Sequence, residues 1–234
     1  MTSPVPCSFW PHARRPSSPV RCCSSTAGGP LSDRAVIEHA QGGRLPLLSP
    51  SDLDPAGRRL YDEIIAPPRG DGPFLVVDDD GLLAGPFNAL LYSPALGQAV
   101  SALGASLRFA GTLENRTREL VVCLIAAVYG CEYEWYAHSR VAATVGITPL
   151  ELRALDQGVT PETATEAEAS ALAFALALVR GRAVDAATHA RAEQHHGHAG
   201  LVEITILAGY YQLLAGLLIA FDVPAPSGVT EVSS

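Results

Sequence analysis

Helix starts recur along this chain in a spelling that leaves little choice of fold. "DPAGRRLYDEII" sets Asp54 as a capping acceptor ahead of Pro55 at the first helical position. "SPALGQAVSALGASLRF" repeats the device with Ser93 and Pro94, and its Leu96, Val100, Leu103 and Leu107 follow helical spacing. "TPLELRAL" pairs Thr148 with Glu151 as a capping box, and "TEAEASALAFALALVRG" does the same with Thr165 and Glu168. Between these lie "TLENRTRELVVCLIAAVYG", read as capped by Thr112 and closed by Gly130, and a following helix closed by Gly146. Asp185 caps a short helix that runs into "HHG", and residues 199–221 form a long apolar helix ending before Pro224. The segment "FLVV" is bounded so closely by Asp and Gly that a loop is expected there. The expected fold class is therefore all-α, a bundle of about eight helices.

Residues 1–30, rich in Pro, Ser, Arg and Cys without periodicity, read as a disordered arm. Residues 44–224 read as a single helical domain and 225–234 as a flexible tail. Arg14-Arg15 is not followed by an apolar segment of signal-peptide length, so twin-arginine export is not expected. The 199–221 stretch has the length of a membrane span. However, it carries Glu203, Tyr210, Tyr211 and Gln212 and lacks a basic flank, so a bundle helix or a subunit contact is the better reading.

Composition narrows the function. A net charge of −8 argues against nucleic-acid binding. All 16 basic residues are arginine, which removes Schiff-base chemistry and phosphate-loop lysines. The five cysteines, at 7, 22, 23, 123 and 131, fit neither a disulfide framework nor a zinc site. A soluble, cytoplasmic protein acting on a small molecule is expected.

The stretch "CEYEWYAH" carries the chemistry. Cys131, Glu134, Trp135 and His138 have spacings that put them on one face of a helix. A Glu–His pair at i,i+4 is commonplace on a solvated face. Beside core-seeking Cys and Trp it instead borders a dry pocket, where burial and mutual charge tune both groups for proton transfer. Glu119 lies twelve residues upstream of Cys131, and Gly130 allows its helix to fold back as an antiparallel neighbour. The expectation is that Glu119, Glu134 and His138 converge on one pocket walled by Cys131 and Trp135. Two further motifs are weaker. "HHGH" (His195, His196, His198) suits either a metal or a helix C-terminus turning at Gly197, and the absence of ligand-spaced carboxylates favours the helix end. Tyr210 and Tyr211 of "GYY" suit either a subunit contact or a ligand pocket.

The stretch "PFNALLYSPALGQAVSALGASLRF…RTRELVVCLIAAVYGCEYEWYAHSRVAATVGIT", with "RLPLLSPSDLDPAGRRLYDEI" before it and "LVEITILAGYYQLLAGLLIAFDVP" after it, resembles the carboxymuconolactone decarboxylase family. That family belongs to the alkylhydroperoxidase-D-like superfamily. The resemblance implies an all-α bundle assembled as a homo-oligomer, a trimer or hexamer, with pockets at or near subunit contacts. The peroxidase branch of the family carries Cys-x-x-Cys-x-x-x-His on one helix and a Glu on the helix before. Cys131, His138 and Glu119 match that pattern, but Glu134 stands where the second cysteine belongs. Cys131 thus has no resolving thiol on its own helix. The decarboxylase branch implies loss of carbon dioxide from a small unsaturated lactone acid, with no cofactor and with a proton delivered to the resulting dienolate.

On this reading Glu119, Glu134, His138 and Cys131 are the candidate catalytic residues. Trp135, Tyr133, Arg118, Asn88 and Tyr210 are candidate substrate contacts, and Arg116 and Arg118 are placed to steer an acid. Two alternatives stay open: a thiol-dependent hydroperoxide reductase using Cys131, and a non-catalytic small-molecule-binding oligomer.

Overall fold

The start signals act as written in most cases. A computed structural model describes residues 42–181 and 183–226; the expected arm at 1–30 and positions 227–234 of the tail lie outside the described residues. The helices are α1 (Pro55–Ile65), α2 (Pro86–Leu91), α3 (Pro94–Phe109), α4 (Asn115–Tyr129), α5 (Glu132–Thr144), α6 (Pro149–Asp156), α7 (Glu166–Val179) and α8 (Ala186–Ala220). The Asp54 carboxylate accepts from the Gly57 amide at 2.7 Å. Thr148 with Glu151, and Thr165 with Glu168, close both halves of their capping boxes. Arg116 then ties the two boxes together, donating to Glu168 at 2.8 Å, to Glu151, and to the Gly146 carbonyl at 2.8 Å. Its guanidinium is engaged by these structural partners and does not reach the site described below, so the expected steering role is corrected.

Three other expectations are corrected. Thr112 does not cap α4, which begins at Asn115 with Glu114 in the cap position. The Thr112 amide and hydroxyl instead donate to Glu203 of α8, each at 2.7 Å, and Leu113 adds its amide at 3.1 Å. A carboxylate from a distant helix thus satisfies the donors leading into α4. That also explains the lone acid in the apolar stretch of α8.

The second correction concerns α3. Its buried side is Gly97, Ser101, Gly104 and Leu107, while Leu96 (69% exposed) and Leu103 point outward. Small residues face inward because α3 lies close to its neighbours. A methyl on Gly97 would meet the Leu90 carbonyl at 2.5 Å, and one on Gly104 would meet the Tyr210 hydroxyl at 2.1 Å. The outer side carries Leu96, Leu103 and Phe109 with no charged residue.

The third concerns α8, which is one helical run broken at Gly197, where φ is 62°. The break falls where the sequence turns, so the short histidine-bearing segment does end there. His196 Nε2 donates to the Ala167 carbonyl at 2.9 Å, anchoring that end. Among the described residues no cluster of His, Cys, Asp and Glu could hold a metal ion. The following half buries Leu201, Ile204, Leu207, Tyr211, Leu214 and Leu218 and leaves Val202, Ile206, Leu213 and Ile219 exposed, so it is not buried all round in the single chain.

α4 is the core helix. Residues 117–126 are buried without interruption, as expected for a helix enclosed on all sides. Its residues 120–125 belong to the first of two apolar clusters. One is built on Leu120, Ile125, Leu155, Leu172 and Ile204, the other on Leu60, Ile64, Leu83, Tyr133 and Leu218. The "FLVV" segment is a loop with an isolated bridge between Val77 and Leu83.

Candidate active site

α4 ends at Gly130 in the left-handed conformation, φ 62°. A side chain would be strained there. The chain reverses at once and α5 runs back along α4. This sets His138 opposite Glu119, with imidazole Nδ1 at 2.7 Å from Glu119 Oε2. Glu119 is wholly buried and His138 is 5% exposed. Arg118 Nε donates to the other Glu119 oxygen at 3.3 Å and Nη1 to Asn115 at 2.9 Å. On the far side of the ring, Nε2 lies 3.4 Å from Glu134 Oε2. One imidazole is therefore clamped between two glutamates.

The two carboxyls differ in proton affinity. Burial opposes ionisation of Glu119, but the charge of His138, its hydrogen bond and Arg118 outweigh it and hold the carboxyl below its ordinary range. Burial raises Glu134, and Glu119 raises it further, against the opposing pull of His138 and Arg108. An ionised Glu119 accepts the Nδ1 proton and so fixes the tautomer of the ring. Nε2 then faces a carboxyl that holds its proton more tightly than usual. The imidazole thus stands between two carboxyls of unequal proton affinity.

Glu134 and His138 open into a narrow cavity of about 30 Å³. Tyr210 and Tyr211 wall one side, with the Tyr211 ring edge-on to His138 at 5.0 Å. Phe74 and Phe87 add apolar faces. Arg108, from the last turn of α3, and Arg69, from the loop after α1, bring positive charge.

Of the expected residues, Glu134, His138, Tyr133 and Tyr210 line this cavity, and Glu119 stands behind His138. The expected wall of Cys131 and Trp135 is corrected. Cys131 is the cap residue ahead of α5, with extended φ −89° and ψ 99°, so helical spacing to Glu134 does not apply to it. It packs into the apolar cluster with Leu218 and borders a separate depression with Gly130, Glu132 and Asp222. Burial pushes its thiol up to about 12. Trp135 follows Glu134 by about 100° around the helix and packs on the α4 side. Asn88 is also corrected. It accepts from the Leu48 amide at 3.0 Å and donates to the Pro46 carbonyl at 3.1 Å, away from the cavity. Arg118 supports Glu119 and does not line the cavity. Arg69 and Arg108 were not singled out from sequence. Arg108 had one signal, as the only charge on α3; Arg69, in an aperiodic loop, had none.

The profile of the carboxymuconolactone decarboxylase family matches residues 94–177, from α3 through most of α7. Two solved structures share the fold across most of their length. The alkylhydroperoxidase AhpD core of a peroxidase-related protein from Ralstonia eutropha superposes with a TM-score of 0.65 at 18% identity, covering 80% of this chain and 93% of that one. A peroxidase-related protein from Silicibacter gives 0.64 at 15%, covering 82% and 96%. Over residues 94–177 the chain is therefore similar to the carboxymuconolactone decarboxylase family, and its fold is that of the two solved structures. A debrominase, solved as a cysteine-to-alanine variant with 2,3,4-tribromopyrrole, has the same fold at 0.61 and 18%, covering 77% and 90%. No curated protein matches the sequence. The chain has one cysteine at the start of α5 and a glutamate three positions on.

Proposed function

We propose that this chain is a member of the carboxymuconolactone decarboxylase family and an acid–base enzyme of the decarboxylase type, acting on a small organic acid or lactone in the Glu134–His138 cavity. The observation that carries the reading is the clamped imidazole: a fully buried Glu119 behind it, held below its ordinary range, and before it, in the cavity, a Glu134 that burial raises. In a decarboxylation the electron pair of the breaking carbon–carbon bond would pass into the substrate's conjugated carbonyl, and carbon dioxide would leave. The Glu134–His138 pair would then return a proton to carbon. Closure of the site by aromatic walls strengthens each of these electrostatic effects.

The thiol-peroxidase reading finds less support. A thiolate is the nucleophile in that chemistry, and the Cys131 thiol is pushed up to about 12 in an apolar cluster outside the cavity. The test is a pair of variants assayed for turnover of an unsaturated lactone acid. His138→Ala is expected to lower turnover by roughly 10²–10⁴-fold, and Cys131→Ser to leave it near wild type. Abolition by the cysteine variant with survival of the histidine variant would reverse the assignment. Loss in neither would leave a binding protein.

The same proposal includes a cytoplasmic homo-oligomer. Its support is the uncharged outer side of α3 and the exposed Val202, Ile206 and Ile219 of α8. Apolar patches of this kind are seldom left to water. Light scattering at micromolar concentration is expected to give a trimer or hexamer; a monomer would contradict it.

A further inference from the structure

The cavity holds more unmet hydrogen-bonding capacity than the proton relay uses. The Arg69 guanidinium, 7% exposed, donates to the Ser101 hydroxyl at 2.9 Å and to the Ser101 carbonyl at 3.1 Å. Both acceptors are uncharged. Arg108 lies over the faces of Phe74 and Phe109, at 5.8 and 5.2 Å from the ring centres. Among the described residues, neither arginine comes within 4.0 Å of a carboxylate, whereas Arg58, Arg116 and Arg118 all do. The hydroxyls of Tyr210 and Tyr211, 9% and 4% exposed, also have no hydrogen-bond partner among the described residues. Buried tyrosine hydroxyls and buried guanidinium donors are ordinarily satisfied. Two cations and two free hydroxyls line one small cavity, beside a carboxyl that burial inclines to stay neutral.

Resting on the acid–base reading above, we infer that Arg69 and Arg108 form the subsite that anchors the carboxylate of an acid substrate. The carboxylate sits on the two guanidinium groups, with the tyrosine hydroxyls as further donors. The rest of the substrate lies against Phe74 and Phe87, and its reacting carbon faces Glu134 and His138. Charge-assisted bonds of this kind stabilise an anion in place. The carboxylate so held is therefore the one retained, and any group lost as carbon dioxide departs from the aromatic side. The subsite selects organic acids over their neutral isosteres.

The test is binding, independent of turnover. Full-length protein is titrated by calorimetry with benzoate and 2-furoate, and with benzamide as the neutral isostere. Saturable binding of at least one acid is expected, about tenfold or more tighter than benzamide, the worth of one charge-assisted hydrogen bond. Arg108→Gln is expected to lose that preference, and Arg108→Lys to recover part of it, with far-UV circular dichroism showing both folded. Arg58→Gln, at an exposed arginine on α1 paired with Asp62, is expected to keep it. Equal binding of benzamide and benzoate, no saturable binding of either acid, or an unchanged preference in Arg108→Gln overturns the subsite. In each of those cases the turnover defect of His138→Ala still decides the relay on its own.

Discussion

Glu119 and Glu134 flank the same imidazole, yet their replacement by glutamine is expected to act in opposite directions. Glu119→Gln keeps the shape but removes the charge. The carboxylate accepts two charged hydrogen bonds, from His138 at 2.7 Å and from Arg118 at 3.3 Å. A charge-assisted bond is worth about 1.5–3 kcal/mol against about 1 for a neutral one, so the two together lose about 2 kcal/mol. The amide also turns an N–H towards one of two donors. Arg118, 7% exposed, keeps only Asn115 as a full partner, and an orphaned buried charge costs up to about 3–5 kcal/mol. The expected destabilisation is about 2–4 kcal/mol. Glu134→Gln removes a carboxyl that burial already disfavours as an anion. It is expected to be neutral, or stabilising by up to about 1 kcal/mol, while lowering turnover.

The pH dependence follows with the same opposition. The folded Glu119 carboxyl lies below its ordinary 4.5, so its stabilisation is full above 4.5 and fades as the pH falls through the folded value. The folded Glu134 carboxyl lies above 4.5, so its penalty is full above the folded value and is relieved as the pH falls towards 4.5. Urea unfolding followed by circular dichroism at pH 7.5 and at acid pH measures both. A cost below about 1 kcal/mol for Glu119→Gln, or an equal cost for the two variants at pH 7.5, would refute the unequal relay.

Gly97→Ala is expected to cost about 1–3 kcal/mol, because the added methyl meets the Leu90 backbone, which cannot yield. Gly104→Ala meets the movable end of Tyr210 and is expected to cost less stability but to weaken benzoate binding; thermal melts and calorimetry separate the two. The Cys131 thiol, pushed up to about 12, is expected to react slowly with a disulfide reagent in the native protein and rapidly in urea. Rapid native reaction would revive the peroxidase reading. Burial raises Glu151, but its bonds with Arg116, Thr148 and Thr163 prevail and hold it at about 2, so its stabilisation is full above 4.5 and lost as the pH falls towards about 2. Glu151→Gln is expected to flatten the acid limb of a melting-temperature profile over that range.

Helix starts were legible because capping is local. Asp54, Thr148 and Thr165 each satisfy an amide three residues on, and no distant residue is needed to see it. The same holds for the reversal at Gly130, and from it for the approach of Glu119 to His138, since one tight turn between two helices leaves few ways to pack them. Periodicity misled where the missing information was distance between elements. Leu96 and Leu103 suggested an inward face on α3, but the close approach of Leu60 and Leu90 at position 97 and of Tyr210 at position 104 leaves no room for a side chain there, so glycines face in and the leucines turn out. Cys131 shared a spacing with Glu134 but not a helix, because the backbone is still extended at the cap. Arg69 and Arg108 stand 39 positions apart and meet only when the loop after α1 and the end of α3 close over one cavity. The local order of the chain determined which helices form and which acid and base face each other. Only the packing of non-adjacent elements decided what surrounds that pair, because the charge and shape of a cavity are properties of side chains that chain order does not bring together.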